Sequence, residues 1–117
     1  MSPKRGDPVA PPPTANEWAI RYATTAAIAG WKELEATASG NLRRAWEAMR
    51  NNPAPGSPTG RHHQLKGSLA TGTHRGRVLP RWQIEVTGGA RIWYLVDEDH
   101  RTVWVQHAAV GHPKQTE

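Results

Sequence analysis

Residues 80–112 read PRWQIEVTGGARIWYLVDEDHRTVWVQHAAVGH, and this stretch decides the fold. It holds three short runs rich in Trp, Ile and Val, separated by two segments with turn chemistry. The runs are 81–87, 91–96 and 102–108, and the turn segments are Gly88-Gly89 and 97–100. Paired glycines accept positive φ and suit a primed hairpin turn. Because loops this short cannot make parallel crossovers, the stretch predicts an antiparallel three-stranded meander.

The chain before the meander predicts a strand and two helices. Residues 16–23 alternate apolar and polar side chains, which is typical of a strand with one buried face. Residues 26–38 and 41–51 carry apolar side chains at helical spacing. The second helix must stop at Pro53, which cannot continue it. Gly30 lowers the stability of the first helix by about 1 kcal/mol relative to Ala. A glycine at this position indicates that another element packs closely against the helix.

These elements predict one α+β domain with the order β-α-α-β-β-β. Helices joined by so short a connection form a hairpin, and we expect it to pack on one face of a small, mainly antiparallel sheet. The other face is left for a partner. A chain of 117 residues suits one domain, which we place at 16–114. The Pro-rich residues 1–15 predict a disordered or extended arm, and 115–117 form a tail.

The charge pattern favours an anionic partner. The formal net charge is +5, and no Asp or Glu occurs between Glu47 and Glu85. The basic residues of that interval are Arg50, Arg61, Lys66, Arg75, Arg77 and Arg81. A block of one sign marks an interaction surface or a solvated loop. Nucleic acid, an acidic protein and a membrane surface all fit such a surface, and simple solubility is the alternative.

Composition also excludes several classes of protein. The absence of cysteine rules out disulfide scaffolds and thiolate metal sites. No run approaches the roughly 18 apolar residues of a membrane helix, and no apolar stretch follows Lys4 and Arg5 as a secretory signal requires. His62 and His63 are adjacent but have no carboxylate nearby, so they make a poor metal site. We therefore expect a cytoplasmic protein without metal or other cofactor.

Several motifs, in their order along the chain, resemble the RelE/ParE toxin superfamily over residues 16–114. They are LKG-x-L at 65–69, W-x-I-x-V at 82–86, R-I-x-Y-x-V-D at 91–97, V-x-V at 103–105 and V-G-H at 110–112. The resemblance implies the toxin of a type II toxin–antitoxin system, neutralised by a cognate antitoxin protein. The RelE branch implies an endoribonuclease (mRNA interferase) that cleaves mRNA on the ribosome. The ParE branch implies inhibition of DNA gyrase without RNA cleavage.

The resemblance also implies site residues. The arginine that opens the second meander strand corresponds to Arg91, and the basic or His residue after the last strand corresponds to His112, with Lys114 close by. Two polar positions that are often basic in RelE members are Gln83 and Glu85 here. A C-terminal tyrosine that is catalytic in some members is absent, because only HPKQTE follows Gly111.

Metal-independent RNA cleavage needs a base for the 2′-hydroxyl, a cation for the phosphorane and an acid for the departing 5′-oxygen. Arg91 is the first candidate for the cation and Arg81 the second, because a guanidinium fits phosphate oxygens bidentately. His112 is the best candidate for acid or base, and His107 is a weaker one. Glu85 is either the base or a cross-strand partner of Arg91, and the sequence leaves open whether the two residues meet.

Further positions are predicted to bind RNA. They are Lys66, Arg75, Arg77, Lys114, Gln83 and Trp93. An exposed Trp can stack on a base, although six Trp and no Phe in the chain also suit Trp as a core residue. The alternatives to the ribonuclease are a ParE-like gyrase inhibitor and a catalytically inactive, basic nucleic-acid-binding protein.

Overall fold

The computed structural model describes residues 3–9 and 11–110, and it confirms the α+β fold. The elements in chain order are β1 Ala19–Tyr22, α1 Thr25–Thr37, α2 Ser39–Asn51, β2 His62–Gln64, β3 Thr71–His74, β4 Arg77–Glu85, β5 Ala90–Asp97 and β6 Thr102–Val110. Short 3₁₀ turns follow at Gly67–Leu69 and Glu98–His100. The predicted β-α-α-β-β-β order is present, with β2 and β3 as two additional short strands.

The strands form one mixed, mostly antiparallel sheet in the order β1-β6-β5-β4-β2, and β3 pairs with β4 outside this path. Only β1 and β6 run parallel to each other among the described pairs. The long β4 pairs with β3 through residues 77–80 and with β2 through residues 82–84. The short strands β2 and β3 are thus defined by backbone pairing with β4. This explains why their own side chains show no regular alternation of apolar and polar residues.

The two helices cover one face of the sheet. The N-cap of α1 is Thr24, whose Oγ1 accepts a hydrogen bond from the Ala27 N–H at 3.0 Å. Gly30 lets α1 approach β6, because a Cβ at this position would lie 1.6 Å from the Ala108 carbonyl oxygen. The largest wholly buried side chains of this layer include Leu34, Met49, Ile92 and Tyr94. No helix within the described residues is long and apolar enough to cross a membrane.

Part of the Pro-rich arm runs along the edge of the sheet beside β1. The Gly6 N–H donates to the Tyr22 carbonyl at 2.8 Å, and the Val9 N–H donates to the Ile20 carbonyl at 2.7 Å. Val9 is buried, with only 3% of its surface exposed. Residues 6–9 are thus held against β1, and they cover an edge strand that would otherwise expose unpaired backbone groups.

The β4–β5 hairpin turns at Gly88-Gly89 as predicted, but the turn is not of the primed type. The described glycines with positive φ are Gly6, Gly67 and Gly76, and neither turn glycine is among them. The expectation of a primed turn is therefore wrong. Instead the Thr87 hydroxyl oxygen accepts hydrogen bonds from the backbone N–H groups of Gly89 and Ala90, at 3.2 and 3.0 Å.

A bulge beside this turn sets the register of the hairpin. Thr87 and Ala90 each donate an N–H to the other's carbonyl at 3.3 Å, and the Val86 N–H also donates to the Ala90 carbonyl at 2.9 Å. Val86 and Thr87, the two residues after β4, thus oppose Ala90, the first residue of β5. The ladder shifts by one residue, and Glu85 lies directly opposite Arg91.

Candidate functional site

The sheet face turned away from the helices carries most of the polar residues that the sequence singles out. We call it the open face, and its central members are Arg81, Gln83, Glu85, Arg91, Trp93, Gln106 and His107. Their neighbours on the same strands, such as Trp82, Ile84 and Ile92, belong to the core under the helices. Alternation along β4 and β5 thus separates the two sets, since successive side chains of a strand point to opposite faces.

Arg91 is held in one position at the edge of this face. Its Nη1 lies 3.1 Å from Glu85 Oε1, and the other carboxylate oxygen lies 3.2 Å from Arg61 Nε. The same Nη1 contacts three carbonyls of the turn, those of Thr87 at 2.8 Å, Gly88 at 3.3 Å and Ala90 at 3.2 Å. The Arg91 side chain is 11% exposed. The cross-strand pairing that the sequence left open is present.

Glu85 is placed to position Arg91 more than to abstract a proton. Each of its carboxylate oxygens lies within 3.2 Å of a guanidinium, that of Arg91 on one side and that of Arg61 on the other. With both oxygens engaged by guanidinium groups, the Glu85 carboxylate is arranged to orient the Arg91 side chain. Arg61 itself is 87% exposed, so its ion pair is the more solvent-screened of the two.

Gln83 and Trp93 form the floor of the site. The two residues lie opposite each other on β4 and β5, and the Trp93 indole N–H donates to Gln83 Oε1 at 2.7 Å. Trp93 is 6% exposed and Gln83 is 7% exposed. The buried ring offers little surface for stacking on an RNA base, and it supports the side chains above it instead.

Arg81 lies farther along β4 and is occupied by its own sheet. Its Nε donates to Gln106 Oε1 at 2.9 Å, and its Nη1 donates to the Leu69 carbonyl at 3.4 Å. Its guanidinium also lies 5.9 Å from the centroid of the Trp93 ring. Burial lowers the pKa of Arg81 from its ordinary value, and the group stays charged at neutral pH because no arginine titrates there. Arg81 ties β6 and the 3₁₀ turn to β4.

A second bulge places His107 on the open face. Trp93 pairs with His107 and Tyr94 pairs with Val105, so Gln106 is an extra residue in β6. Since Arg91 pairs with Ala109, His107 is its diagonal neighbour, at a typical Cα separation of about 7–8 Å. Burial lowers the pKa of His107 from its ordinary value of 6.5. Its Nε2 is buried and has no hydrogen-bond partner among the described residues.

The remaining predicted residues are scattered. Lys66 is exposed just before the first 3₁₀ turn, and Arg75 is exposed at the tip of the β3–β4 hairpin. Arg77 is engaged in ion pairs with Asp97 and Asp99, both at 2.8 Å. His112 and Lys114 lie outside the described residues, and their proposed roles stay predictions from the sequence.

His62 and His63 are separated by the sheet. His62 pairs with Ile84 and turns to the helix side, whereas His63 pairs with Gln83 on the open face. The His62 Nε2 contacts the hydroxyl of Tyr94, which donates its own proton to the Pro53 carbonyl at 2.6 Å. His62 must therefore be the donor in its contact with Tyr94. Among residues 3–9 and 11–110, no three metal-ligating side chains lie close enough to hold a metal ion.

Comparison with known proteins adds no family: no protein-family model and no curated protein matches the chain. The chemistry available to the site is therefore inferred from the side chains of the open face. A fixed guanidinium can stabilise negative charge on a phosphoryl group, and a neutral imidazole beside it can accept a proton. Arg91 and His107 supply these two groups on adjacent strands.

Proposed function

We propose that this chain is the toxin of a type II toxin–antitoxin system: an endoribonuclease, or mRNA interferase, that needs no metal and cleaves mRNA on the ribosome. It acts in the cytoplasm and is neutralised by a cognate antitoxin protein. The observation that carries the proposal is the immobilised Arg91 guanidinium on the open face, diagonal to His107. The order of elements and the motifs that resemble the RelE branch support it.

Arg91 is proposed to bind the scissile phosphate. Within the described residues its hydrogen bonds and its ion pair all pass through Nη1. The remaining edge of the guanidinium, Nε and Nη2, can then present two parallel N–H groups to phosphate oxygens. Because Nη1 is already fixed, little reorganisation is needed as charge develops on the phosphorane.

His107 is proposed to be the general base. Burial lowers its pKa, so it is neutral at pH 7 and able to accept the 2′-hydroxyl proton. The 2′-oxygen then attacks phosphorus, the bond to the 5′-oxygen breaks, and the products are a 2′,3′-cyclic phosphate and a 5′-hydroxyl. His112 is the candidate acid that protonates the departing 5′-oxygen, on the basis of the sequence.

The proposal is tested by mapping mRNA 5′ ends after induced expression of the chain. We expect growth arrest and new 5′ ends with the wild type, and a loss of cleavage by about 10²–10³-fold in Arg91→Ala, as for removal of one oxyanion donor. Arg43→Ala, an exposed substitution on α2, is the control and should cleave normally. Intact mRNA together with trapped gyrase–DNA complexes would contradict the ribonuclease, and unaffected growth would contradict any toxin.

The role of His107 is tested by the pH dependence of cleavage in vitro. With the wild type, the rate should rise with pH through the lowered pKa of His107 and be level near pH 7, because the base must be neutral. His107→Gln should lower the plateau by about 10²–10⁴-fold and abolish this acidic limb. An acidic limb that persists in His107→Gln would assign the base to another residue.

A further inference from the structure

A second cationic pocket lies on the same side of the sheet, between the end of β1 and the β3–β4 hairpin. It is lined by Arg5, Gly6, Ala23, His74 and Arg75 and has a volume of about 430 Å³. These residues come from the N-terminal arm, from the end of β1 and from the β3–β4 hairpin. We call it the Arg5–Arg75 pocket.

Cationic side chains converge there on one buried ring. Trp104 is 6% exposed. The guanidinium of Arg75 lies 4.9 Å from its ring centroid, and that of Arg21 lies 5.8 Å away. The His74 ring lies 4.2 Å from the same ring. Cation–π contact with the Trp104 ring offsets part of the repulsion between the guanidinium groups of Arg21 and Arg75. An anion bound between the cationic side chains would offset the remaining repulsion.

Among the described residues that line the pocket there is no carboxylate to neutralise these groups. Asp97 is near enough to influence His74 electrostatically. Its carboxylate, however, is already bound to Arg77 at 2.8 Å and to His100 at 2.9 Å. The Nε2 of His74 is buried and has no partner among the described residues. The described part of the pocket thus offers donors and positive charge without a carboxylate acceptor of its own.

The backbone of Arg75 is held in a conformation that arginine disfavours. Arg75 has φ 52° and Gly76 has φ 79°, and they are the two residues between the paired His74 and Arg77. A two-residue hairpin with positive φ at both positions is a type I′ turn, for which Asn-Gly is strongly preferred. A non-glycine residue in this region costs of order 1–3 kcal/mol. This outlier points to a role for the Arg75 side chain.

Arg5 reaches the pocket because the arm beside it is ordered. Gly6 has φ +93°, its N–H donates to the Tyr22 carbonyl at 2.8 Å, and its carbonyl accepts from Arg21 Nε at 2.7 Å. Glycine allows this turn of the chain at no steric cost. The side chain of Arg5 is exposed and available to a ligand.

We infer that the Arg5–Arg75 pocket binds a backbone phosphate of single-stranded RNA. The inference rests on the proposed function and adds a second contact point on the same strand of substrate. On β5, Leu95 is four residues from Arg91 and pairs with Trp104, which pairs with Arg21. Four residues of a strand span about 13 Å. RNA bound at Arg91 therefore needs to extend only a few nucleotides to place another phosphate in the pocket.

Binding is tested with the full chain and a fluorescein-labelled 2′-O-methyl RNA dodecamer, which cannot be cleaved through its 2′-oxygen. Arg5→Gln and Arg75→Gln should each lower the affinity roughly 3- to 10-fold, because each removes a charge-assisted contact to phosphate. The slope of log affinity against log salt should become shallower by about 0.7 for each lost phosphate contact. Arg43→Gln, on the helix side of the sheet, is the matched control.

Affinities and salt slopes equal to those of Arg43→Gln would overturn the inference. A second result would also overturn it: binding of a poly-glutamate peptide that depends on Arg5 and Arg75, while the binding of RNA does not depend on them. That result would assign the pocket to an acidic protein. The proposed function fails separately: RNA binding that depends on Arg5 and Arg75, without any Arg91-dependent cleavage, supports the pocket and contradicts the nuclease.

Arg75→Asn separates binding from folding. Asn-Gly suits the type I′ turn better than Arg-Gly, so the variant should melt at the wild-type temperature or above it while it binds RNA more weakly. If Arg75 serves only to pack on Trp104, the melting temperature should fall and the RNA affinity should stay at the wild-type value, which would overturn the inference.

Discussion

Glu85 and Arg91 lie opposite each other on β4 and β5, with 3.1 Å between Oε1 and Nη1. They meet because Val86 and Thr87 together oppose Ala90. Without this bulge the ladder would move by one residue, and a residue from the helix side would face Arg91. The geometry of the candidate site therefore depends on a backbone irregularity beside it.

Glu85→Gln distinguishes a positioning residue from a base. We expect cleavage to slow by about tenfold, equivalent to ~1.4 kcal/mol, because a neutral amide holds the Arg91 guanidinium less firmly. The pH profile should keep its shape, measured as single-turnover rates between pH 5 and 8. Arg61→Gln should have a smaller effect, since its ion pair is mostly exposed. A loss of 10²–10⁴-fold with no acidic limb would instead make Glu85 the base.

Gly30→Ala should destabilise the fold strongly. A Cβ there would lie 1.6 Å from the backbone oxygen of Ala108, so α1 must move away from β6. We expect a loss of about 3 kcal/mol or more in the free energy of unfolding, at or beyond the upper range for overpacking, measured by urea denaturation.

Gly40→Ala is the matched control for this substitution. Gly40 lies within α2, and a Cβ at this position would have no neighbour within 4 Å. It should therefore stabilise the chain by up to about 1 kcal/mol through helix propensity. Equal effects of the two substitutions would contradict the close approach of α1 and β6.

Tyr94→Phe should cost about 1–2 kcal/mol in the free energy of unfolding. The Tyr94 hydroxyl is wholly buried, donates to the Pro53 carbonyl at 2.6 Å and accepts from His62. Its loss removes one hydrogen bond from each partner. Tyr22→Phe removes a hydroxyl with no hydrogen bond among the described residues and should change stability by less than about 0.5 kcal/mol. Similar effects of the two variants would argue against this buried contact.

Stability should fall as the pH is lowered from 7.5 to 5. Burial lowers the pKa values of His62, His74 and His107 below 6.5. In this interval the unfolded chain binds more protons than the folded chain, so the free energy of unfolding decreases on acidification. The melting temperature should drop accordingly. It should drop less in His107→Leu, and as much as in the wild type in Lys32→Gln, an exposed change on α1.

The Asp97 carboxylate contributes little to this drop, because its pKa is lowered from a value that is already acidic. Burial acts to raise the pKa of Asp97, but hydrogen bonds from Arg77 and His100 outweigh it and bring the pKa below 3.8. The stability that Asp97 contributes is therefore lost progressively as the pH falls from about 5 through the lowered pKa. A melting temperature that stays constant from pH 7.5 to 5 would contradict the burial of the three histidines.

Much of the fold follows from local patterns. The period of the apolar residues locates both helices and the meander strands, and Gly30 marks the contact between α1 and β6. The short strands β2 and β3 escape such reasoning, because each is defined by pairing with distant residues of β4. The arm is held by the buried side chain of Val9 and by backbone hydrogen bonds to β1, and a composition rich in proline conceals this pairing.

The sequence predicts which face of the sheet carries the site, but it does not predict the distances and pairings between the site residues. Alternation alone places Gln83, Glu85 and Arg91 on one side of the sheet, once the helices are assigned to the other side. The ion pair depends on the bulge at Val86 and Thr87, which leaves no signature in the residue types. The position of His107 depends likewise on the bulge at Gln106, and the Arg5–Arg75 pocket depends on the arm.

The bulge at Gln106 also bears on how the length of this chain can vary. Trp104 and His107 are on the open face, while Val105 and Ala108 face the helices, so β6 changes phase once between its two halves. A chain lacking Gln106 alone would have an unbroken alternation and keep each of these side chains on its present side, losing mainly the contact with Arg81. Deletion of Val105 would instead move Gln106 to the helix side, and deletion of His107 would leave Gln106 in its place on the open face. A one-residue deletion in this part of β6 is therefore expected to be tolerated best at Gln106.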